Sequence, residues 1–496
     1  MNKKAIVIGA GVGGLATAIR LAHKGIAVTV YEKNEYVGGK LSAFEKDGFY
    51  FDAGPSLFTK PSLLEDLFKE VGENLQDYFT YKKIDTACTY FYEDGTVIKA
   101  STNVDEFASE LEKKLGEKKQ TVLKYLSNSK QLYDRTGSFF LTNTLHKASS
   151  FFNKNFLKAF KGVKPTYVLS SLHKHNSQQF NNKKTVQLFN RFATYNGSNP
   201  YKAPAMLSVI PHLEHNDGTY YPTGGMISIT NALFKLAQKK GVQFALSTPV
   251  EKIIANHHVL KGVVVNKKNI YADIVVSNMD AYFTYKNLLQ DGAKANKILN
   301  QERSSSALIF YWGITKTFPQ LGLHNILFSN NYELEFNFIF KKKTYYPDPT
   351  IYINITSKEE PTAFTPTGCE NWFVMVNVPA NNGQDWNSLI PKYRAAIINK
   401  INKQFNVELE SFIAVEEILQ PQTIESKTSS YMGSLYGTSS NSKLSAFLRH
   451  PNFNAINNLY FVGGSVHPGG GIPLCLHSAK IVEELVDKKL STKLKH

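Results

Sequence analysis

Three spaced glycines inside an apolar run constrain this chain more than any other feature: "KKAIVIGAGVGGLATAIRLAHKGIAVTVYEKNEYVGGK", residues 3–40. Ala5-Ile6-Val7-Ile8 reads as a strand buried on both faces. Gly9, Gly11 and Gly14 then give G-x-G-x-x-G. The first glycine permits a tight turn, the second lets backbone approach a pyrophosphate, and the third lets helix and strand pack closely. Leu15, Ala18, Ile19 and Ala22 follow at helical spacing, so a helix N-terminus offers free N–H groups to phosphate. "IAVTVYE" reads as a second strand ending at Glu32, 18 residues past Gly14. A carboxylate there accepts hydrogen bonds from both ribose hydroxyls of an adenosine and repels a 2′-phosphate. Two lysines before an apolar stretch also open secretory signals, but a signal does not continue into a strand with an acid at its end. The pattern is a βαβ dinucleotide site.

At 496 residues and 42% hydrophobic, the chain can bury a large core and is long enough for two or more domains. Cys88, Cys369 and Cys475 are far apart, so neither structural zinc nor a disulfide framework is expected, no metal site is assigned, and a reducing cytoplasm is the natural compartment. The strongest apolar run, "ALIFYWGI" at 307–314, falls short of the roughly 20 residues that span a bilayer and reads as a core strand. Lys and Arg number 57 against 41 Asp and Glu, a net charge of +16. No acid occurs between Asp134 and Glu214, whereas ten Lys or Arg fall from Lys147 to Lys202. Within that stretch "FFNKNFLKAFK" (151–161), wound as a helix, sets Phe152, Phe156 and Phe160 against Lys154, Lys158 and Lys161. Such a helix either lies in an anionic lipid surface or packs its aromatics on the core. Nucleic acid is not expected as a partner, since no reading motif accompanies the charge.

FAD rather than NAD rests on two further segments. Gly38-Gly39-Lys40 follows Glu32 closely. Far away, "NLYFVGGSVHPGGGIPLCLHSAKIVEELV" (458–486) reads as a strand over Leu459–Val462, a glycine-rich turn and a helix beginning near Ile472. A second helix N-terminus aimed at a flavin stabilises the charge that gathers on its reduction; the alternative is a glycine turn kept for packing. With one G-x-G-x-x-G, a stored NAD(P)H site is not indicated.

The chain resembles the phytoene-desaturase-type carotenoid desaturases of the amine-oxidase-like FAD superfamily. The resemblance runs through "GGKLSAFEKDGFYFDAGPSLFTKP" (38–61), "YYPTGGMISITNAL" (220–233), "TPVEKI" (248–253), "ADIVVSNMD" (272–280) and "SAFLRHPNFNAINNLYFVGGSVHPGGGIP" (445–473). Its "DAGPSLFTKP" segment (52–61) is most similar to the 1-hydroxycarotenoid 3,4-desaturase branch. The resemblance implies an α/β fold: a Rossmann-like FAD-binding domain with an interleaved α+β domain for substrate and membrane contact. It implies that Gly9, Gly11, Val12, Gly13 and Gly14 hold the pyrophosphate and Glu32 the ribose. Gly39 and Lys40 come next, Lys40 standing where much of the family has arginine and so lacking the planar fork. Ser56 and Leu57 would approach the flavin ring, Val250 the adenine, Asn278 a strand end near the cofactor, and Gly464, Gly471 and Ile472 the ribityl chain and ring edge.

Glycine-rich patterning divides the chain into a discontinuous cofactor part (1–75, 218–285 and 425–496) and a substrate and membrane part (76–217 and 286–424). In the latter, "LEFNFIF", "TIYINIT" and "NWFVMVNV" alternate at period two as strands, and "WNSLIPKYRAAIINKI" (386–401) has helical spacing. The implied reaction is dehydrogenation of an allylic C–C bond beside a polyene: flavin takes a hydride, the polyene delocalises the charge, and loss of a proton completes the double bond. No residue is assigned as catalytic. His467 stands either near the flavin or in a backbone-bonding role; His173 and His175 read as solvated surface, and Asp134-Arg135 as a helix-surface pair. Reoxidation falls to oxygen or a membrane quinone. The expected location is peripheral, on the cytoplasmic side of the membrane, without signal peptide or transmembrane helix. Alternatives are a phytoene desaturase, a carotenoid isomerase, an amine oxidase, or a flavin-free lipid or prenyl carrier.

Overall fold

The computed structural model describes residues 3–147, 163–442 and 449–493. The basic aromatic stretch 151–161 lies outside them, as do residues 445–448 of the C-terminal motif.

A five-stranded parallel sheet organises the cofactor half. Its strands run in the order Leu459–Phe461, Ile274–Ser277, Lys4–Ile8, Ala27–Tyr31, Gln243–Ala245. Val7 sits between Val276 on one side and Val30 on the other. Because side chains alternate across a strand, Ala5 and Val7 enter one core while Ile6 and Ile8 enter another. The first core is closed by the helices Val12–His23, Ile227–Lys239 and Ile472–Lys493, the second by an antiparallel sheet of Val250–Asn256, Val259–Val265 and Lys268–Tyr271. Coverage on both faces explains why these strands are continuous apolar runs. Arg20, on the first helix, is buried and ties Glu70 to Glu483 of the last.

A seven-stranded sheet, antiparallel except at one pairing, forms the other half. Its order is Ile413–Leu419, Ser306–Ile314, Glu370–Val378, Ile351–Ile355, His324–Leu327, Thr86–Phe91, Val97–Ser101. One face packs Phe310, Trp312, Trp372 and Val374 on Trp386, Tyr393 and Ile397 of the helix Trp386–Phe405. Each such side chain, wholly withdrawn from water, contributes about 1.5–3 kcal/mol of hydrophobic stabilisation or more. The opposite face carries Ile309, Tyr311 and Phe373 and looks toward the parallel sheet's domain.

Two of the three alternating segments are strands; "LEFNFIF" (334–340) is not. It folds as the helix Tyr332–Asn337 followed by a wide turn over Phe338–Lys342. Tyr332, Phe336, Ile339 and Phe340 are the buried hydrophobic residues, spaced four, three and one apart, while Leu334 is 37% exposed. Helical periodicity that begins at Tyr332 therefore overrides alternation inside the segment. The Asn331 side chain accepts from Leu334 N at 3.0 Å and caps the helix.

Candidate functional site

The glycine turn is held from beneath by Asn278. Gly9 has φ +95°, a left-handed value that only glycine adopts without strain. A Cβ on Gly11 would come 2.7 Å from Asn278 Oδ1, and one on Gly13 3.2 Å from Gly463 Cα. Asn278 Nδ2 in turn donates to Val462 O at 3.1 Å. Three segments from the beginning, middle and end of the chain thus meet around one amide.

Above this junction lies a cavity of about 1180 Å³. Gly9, Gly11, Val12, Gly13, Glu32, Gly39, Lys40, Ser56, Leu57, Val250, Asn278, Gly464, Gly471 and Ile472 all line it. Gly14 stands behind, with space for no side chain: a Cβ there would lie 2.2 Å from Gly9 O. Glu32, 5% exposed, accepts from Ala10 N at 2.7 Å and Asn34 N at 2.9 Å, which fixes its carboxylate at the end of the second strand. The Lys40 ammonium donates to the carbonyls of Ser434 (3.2 Å) and Leu435 (2.8 Å). Burial draws Lys40 down to about 8, against the opposing pull of Asp280 and Cys475. The helix Val12–His23 begins at Gly11 with no acidic residue in its first turn, leaving its positive end open to an anion.

The far wall is the free face of the seven-stranded sheet. Ile326, Tyr352, Met375, Ile309 and Leu419 stand in register across five neighbouring strands and all line the cavity. The volume exceeds the roughly 300–1,000 Å³ typical of one drug-sized ligand, and its division into a glycine-rich end and an apolar floor suits a dinucleotide and a greasy guest together.

Polar groups interrupt that floor at two places. Ser56 Oγ hydrogen-bonds Tyr352 OH at 2.8 Å, and Tyr352 OH meets His324 Nδ1 at 2.8 Å. Beyond Ile326, Arg191 Nε donates to Tyr90 OH at 2.8 Å, and Nη2 donates to both oxygens of Glu214 at 2.5 and 2.7 Å. Tyr195 OH donates to Glu214 Oε2. Burial alone would raise the Glu214 carboxyl, yet Arg191, with His215 and Tyr195, holds it below its ordinary value. Arg191, one of the ten cations of the acid-free stretch, is 5% exposed, and Glu214 is 1% exposed. Glu214 ends the acid-free stretch in a polar run, with His215, Asn216 and Asp217 directly after it, so nothing adjacent in the sequence marks it as buried.

His467 Nε2 donates to Asn143 O at 2.9 Å and does not line the cavity, so the backbone-bonding role holds. His173 is held by Asn190 Nδ2 at 3.0 Å, and Asp134 pairs with Lys130 rather than Arg135.

This combination of a glycine-cradled parallel sheet and a second antiparallel sheet across one cavity is the architecture of flavin-dependent oxidoreductases. A family model described as flavin containing amine oxidoreductase matches residues 12–482. The 1-hydroxycarotenoid 3,4-desaturase of Flavobacterium sp. (strain P99-3) is 53% identical over 98% of this chain and 99% of its own. The 4,4'-diapolycopene oxygenase of Methylomonas sp is 33% identical over 98% of each. Among solved structures, an oxidoreductase from Methanosarcina mazei shares the fold with a TM-score of 0.65 at 17% identity, covering 97% of this chain and 100% of its own. The chain belongs to the carotenoid desaturase family within the flavin containing amine oxidoreductases. It is an enzyme, and its cofactor is FAD; the flavin-free carrier reading is set aside.

Proposed function

We propose that the protein introduces the C3–C4 double bond into a 1-hydroxylated acyclic or monocyclic carotenoid. The observation that carries this reading is a single cavity with a dinucleotide cradle at one end and an apolar sheet floor at the other, in a chain 53% identical to a 1-hydroxycarotenoid 3,4-desaturase. Gly11, Val12 and Gly13 would receive the pyrophosphate on backbone N–H groups, Gly9, whose own N–H donates to Tyr31 O at 2.8 Å, would make the turn beneath it, Gly14 would keep the helix close, and Glu32 would accept the ribose hydroxyls. Lys40 is available as a point charge, Asn278 would approach the cofactor from its strand end, and Gly464, Gly471 and Ile472 would lie along the ribityl chain and ring edge. Bound FAD supplies the two-electron acceptor.

What the chain's own residues contribute is mainly position. Ser56 and Leu57 would stand beside the ring, with the Ser56–Tyr352 contact fixing the wall opposite. Ile309, Ile326 and Met375 would hold a rod-like polyene against that wall and keep water out. A polyene delocalises the charge left by hydride loss, so the site works without a strong base.

The segments 1–75, 218–285 and 425–496 are read as the cofactor domain, and 76–217 and 286–424 as the substrate and membrane domain. No described helix is long and apolar enough to cross a membrane. The charge excess between Lys147 and Lys202 supports peripheral binding to an anionic leaflet on the cytoplasmic side, and a membrane quinone or oxygen would reoxidise the flavin.

The test is expression in cells accumulating defined carotenes, with pigment chromatography. A red shift confined to 1-hydroxylated carotenes is expected. Conversion of colourless phytoene, or an oxygenated product without a new double bond, would overturn the assignment.

A further inference from the structure

The Arg191–Glu214 pair is out of place in a cavity meant for a hydrocarbon. Replacing a buried ion pair by apolar residues is often neutral or stabilising, so fold stability alone is a weak reason for one. Arg191 and Tyr195 nonetheless face the cavity. Tyr195 keeps partial accessibility while lying in the interior.

Counting hydrogens defines what is open. A guanidinium has five N–H donors. Nε serves Tyr90, Nη2 serves both oxygens of Glu214, and one hydrogen of Nη1 serves Tyr195 OH at 3.4 Å. Among the described residues, one Nη1 N–H is left without an acceptor. The Tyr195 hydroxyl gives its own proton to Glu214 and retains a lone pair. A free donor and a free acceptor therefore lie side by side, the complement of an alcohol.

The location matches the chemistry. Tyr90, which holds Arg191, pairs with Ile326, and Ile326 pairs with Tyr352, the partner of Ser56. With adjacent strands about 4.8 Å apart, Tyr90 and Tyr352 are separated by roughly 10 Å. In a 1-hydroxylated substrate the reacting C3 is two bonds from the carbon bearing oxygen, so the hydroxyl must dock near the ring and not at the distant end of the cavity.

We propose that Arg191 and Tyr195 form the subsite for the substrate hydroxyl, and that this anchor sets the C3–C4 bond in register with the flavin. The hydroxyl oxygen accepts from Arg191 Nη1 and its hydrogen goes to Tyr195 Oη. Glu214 and Tyr90 are positioning residues that aim the guanidinium. The inference rests on the carotenoid reading above and adds the determinant of its selectivity.

The experiment compares an acyclic carotene with its 1-hydroxylated counterpart on the FAD-loaded enzyme. A site built to pair a hydroxyl leaves its own polar groups stranded when the hydroxyl is missing, and such sites discriminate strongly. The wild type should therefore favour the hydroxylated substrate by about 100-fold or more in kcat/KM. Tyr195→Phe should shrink that ratio about tenfold or more, at undiminished flavin content. Arg191→Met combined with Glu214→Leu, which removes both charges together, should shrink it further and give products desaturated at mixed positions. An unchanged ratio in Tyr195→Phe would overturn the subsite while leaving the proposed 1-hydroxycarotenoid desaturation standing, whereas equal kcat/KM for the two carotenes on the wild type would overturn the 1-hydroxylated substrate assignment and the subsite together. Failure of the flavin-loaded wild type to convert any carotenoid would overturn the desaturase reading, and the subsite with it.

Discussion

The Gly14 α-carbon packs against the Gly9 carbonyl so closely that an added methyl would stand 2.2 Å from the oxygen. The same methyl would meet Asn278 Oδ1 at 3.1 Å, so neither side of the junction can yield without moving the strand end that carries Asn278. Gly14→Ala should therefore destabilise the protein by about 1–3 kcal/mol, the usual cost of overpacking, and lower the flavin bound per chain. Thermal denaturation and absorbance in the flavin bands read both; wild-type flavin content in the variant would contradict the tight-packing account.

Glu32 satisfies two backbone donors as well as standing at the expected ribose position. Glu32→Ala strands Ala10 N and Asn34 N, at a cost of about 1–3 kcal/mol for a buried donor. FAD affinity should fall at least tenfold beyond any loss explained by unfolding. Titration calorimetry on the folded apo-variant separates the two effects.

Lys40 should make cofactor binding depend on pH. In the free protein burial draws it from 10.5 to about 8. An unfolded lysine keeps more of its proton between those values, so apo-protein stability from this group rises with pH between about 8 and 10.5. A pyrophosphate nearby would restore the proton, so FAD affinity should fall as pH rises through 8. Lys40→Met should flatten that dependence, as read by flavin fluorescence quenching from pH 7 to pH 9.5.

Glu214 has more to lose than a surface acid. Glu214→Gln leaves the Arg191 cation buried without a counter-charge, which costs about 3–5 kcal/mol. A clear drop in unfolding midpoint is expected, recovered in part when Arg191→Met is added. Additive losses in the double variant would show that the two residues do not act as a pair.

Tyr311 predicts the opposite direction. Its hydroxyl is buried and has no hydrogen-bond partner among the described residues, although the ring lines the cavity. Tyr311→Phe should leave the cofactor-free protein as stable as the wild type or more stable, by up to about 1–3 kcal/mol. A fall in stability by chemical denaturation would reveal an interaction of the hydroxyl with solvent or backbone.

The residues that line the cofactor end were legible in the sequence because their task is local. A turn that needs φ +95° at Gly9, or a helix that must start without a side chain at Gly11, writes its requirement into adjacent letters. The parallel strands were equally plain, since burial on both faces leaves unbroken apolar runs. "LEFNFIF" was misread for the converse reason: seven residues fit two periods, and only the packing of Tyr332 and the cap at Asn331 chose the helix.

Chain chemistry by itself thus determined where a dinucleotide could lie and which strands would flank it. Tertiary structure alone decided that Arg191 would be a buried ion and not a surface charge, because its partner Glu214 comes from a separate segment and neither residue signals the other. It also decided the cavity floor, where Ile309, Ile326 and Met375 meet through strand pairings between distant segments. Backbone conformation is a property of neighbours in sequence, whereas the environment of a charge or the wall of a cavity is a property of neighbours in space.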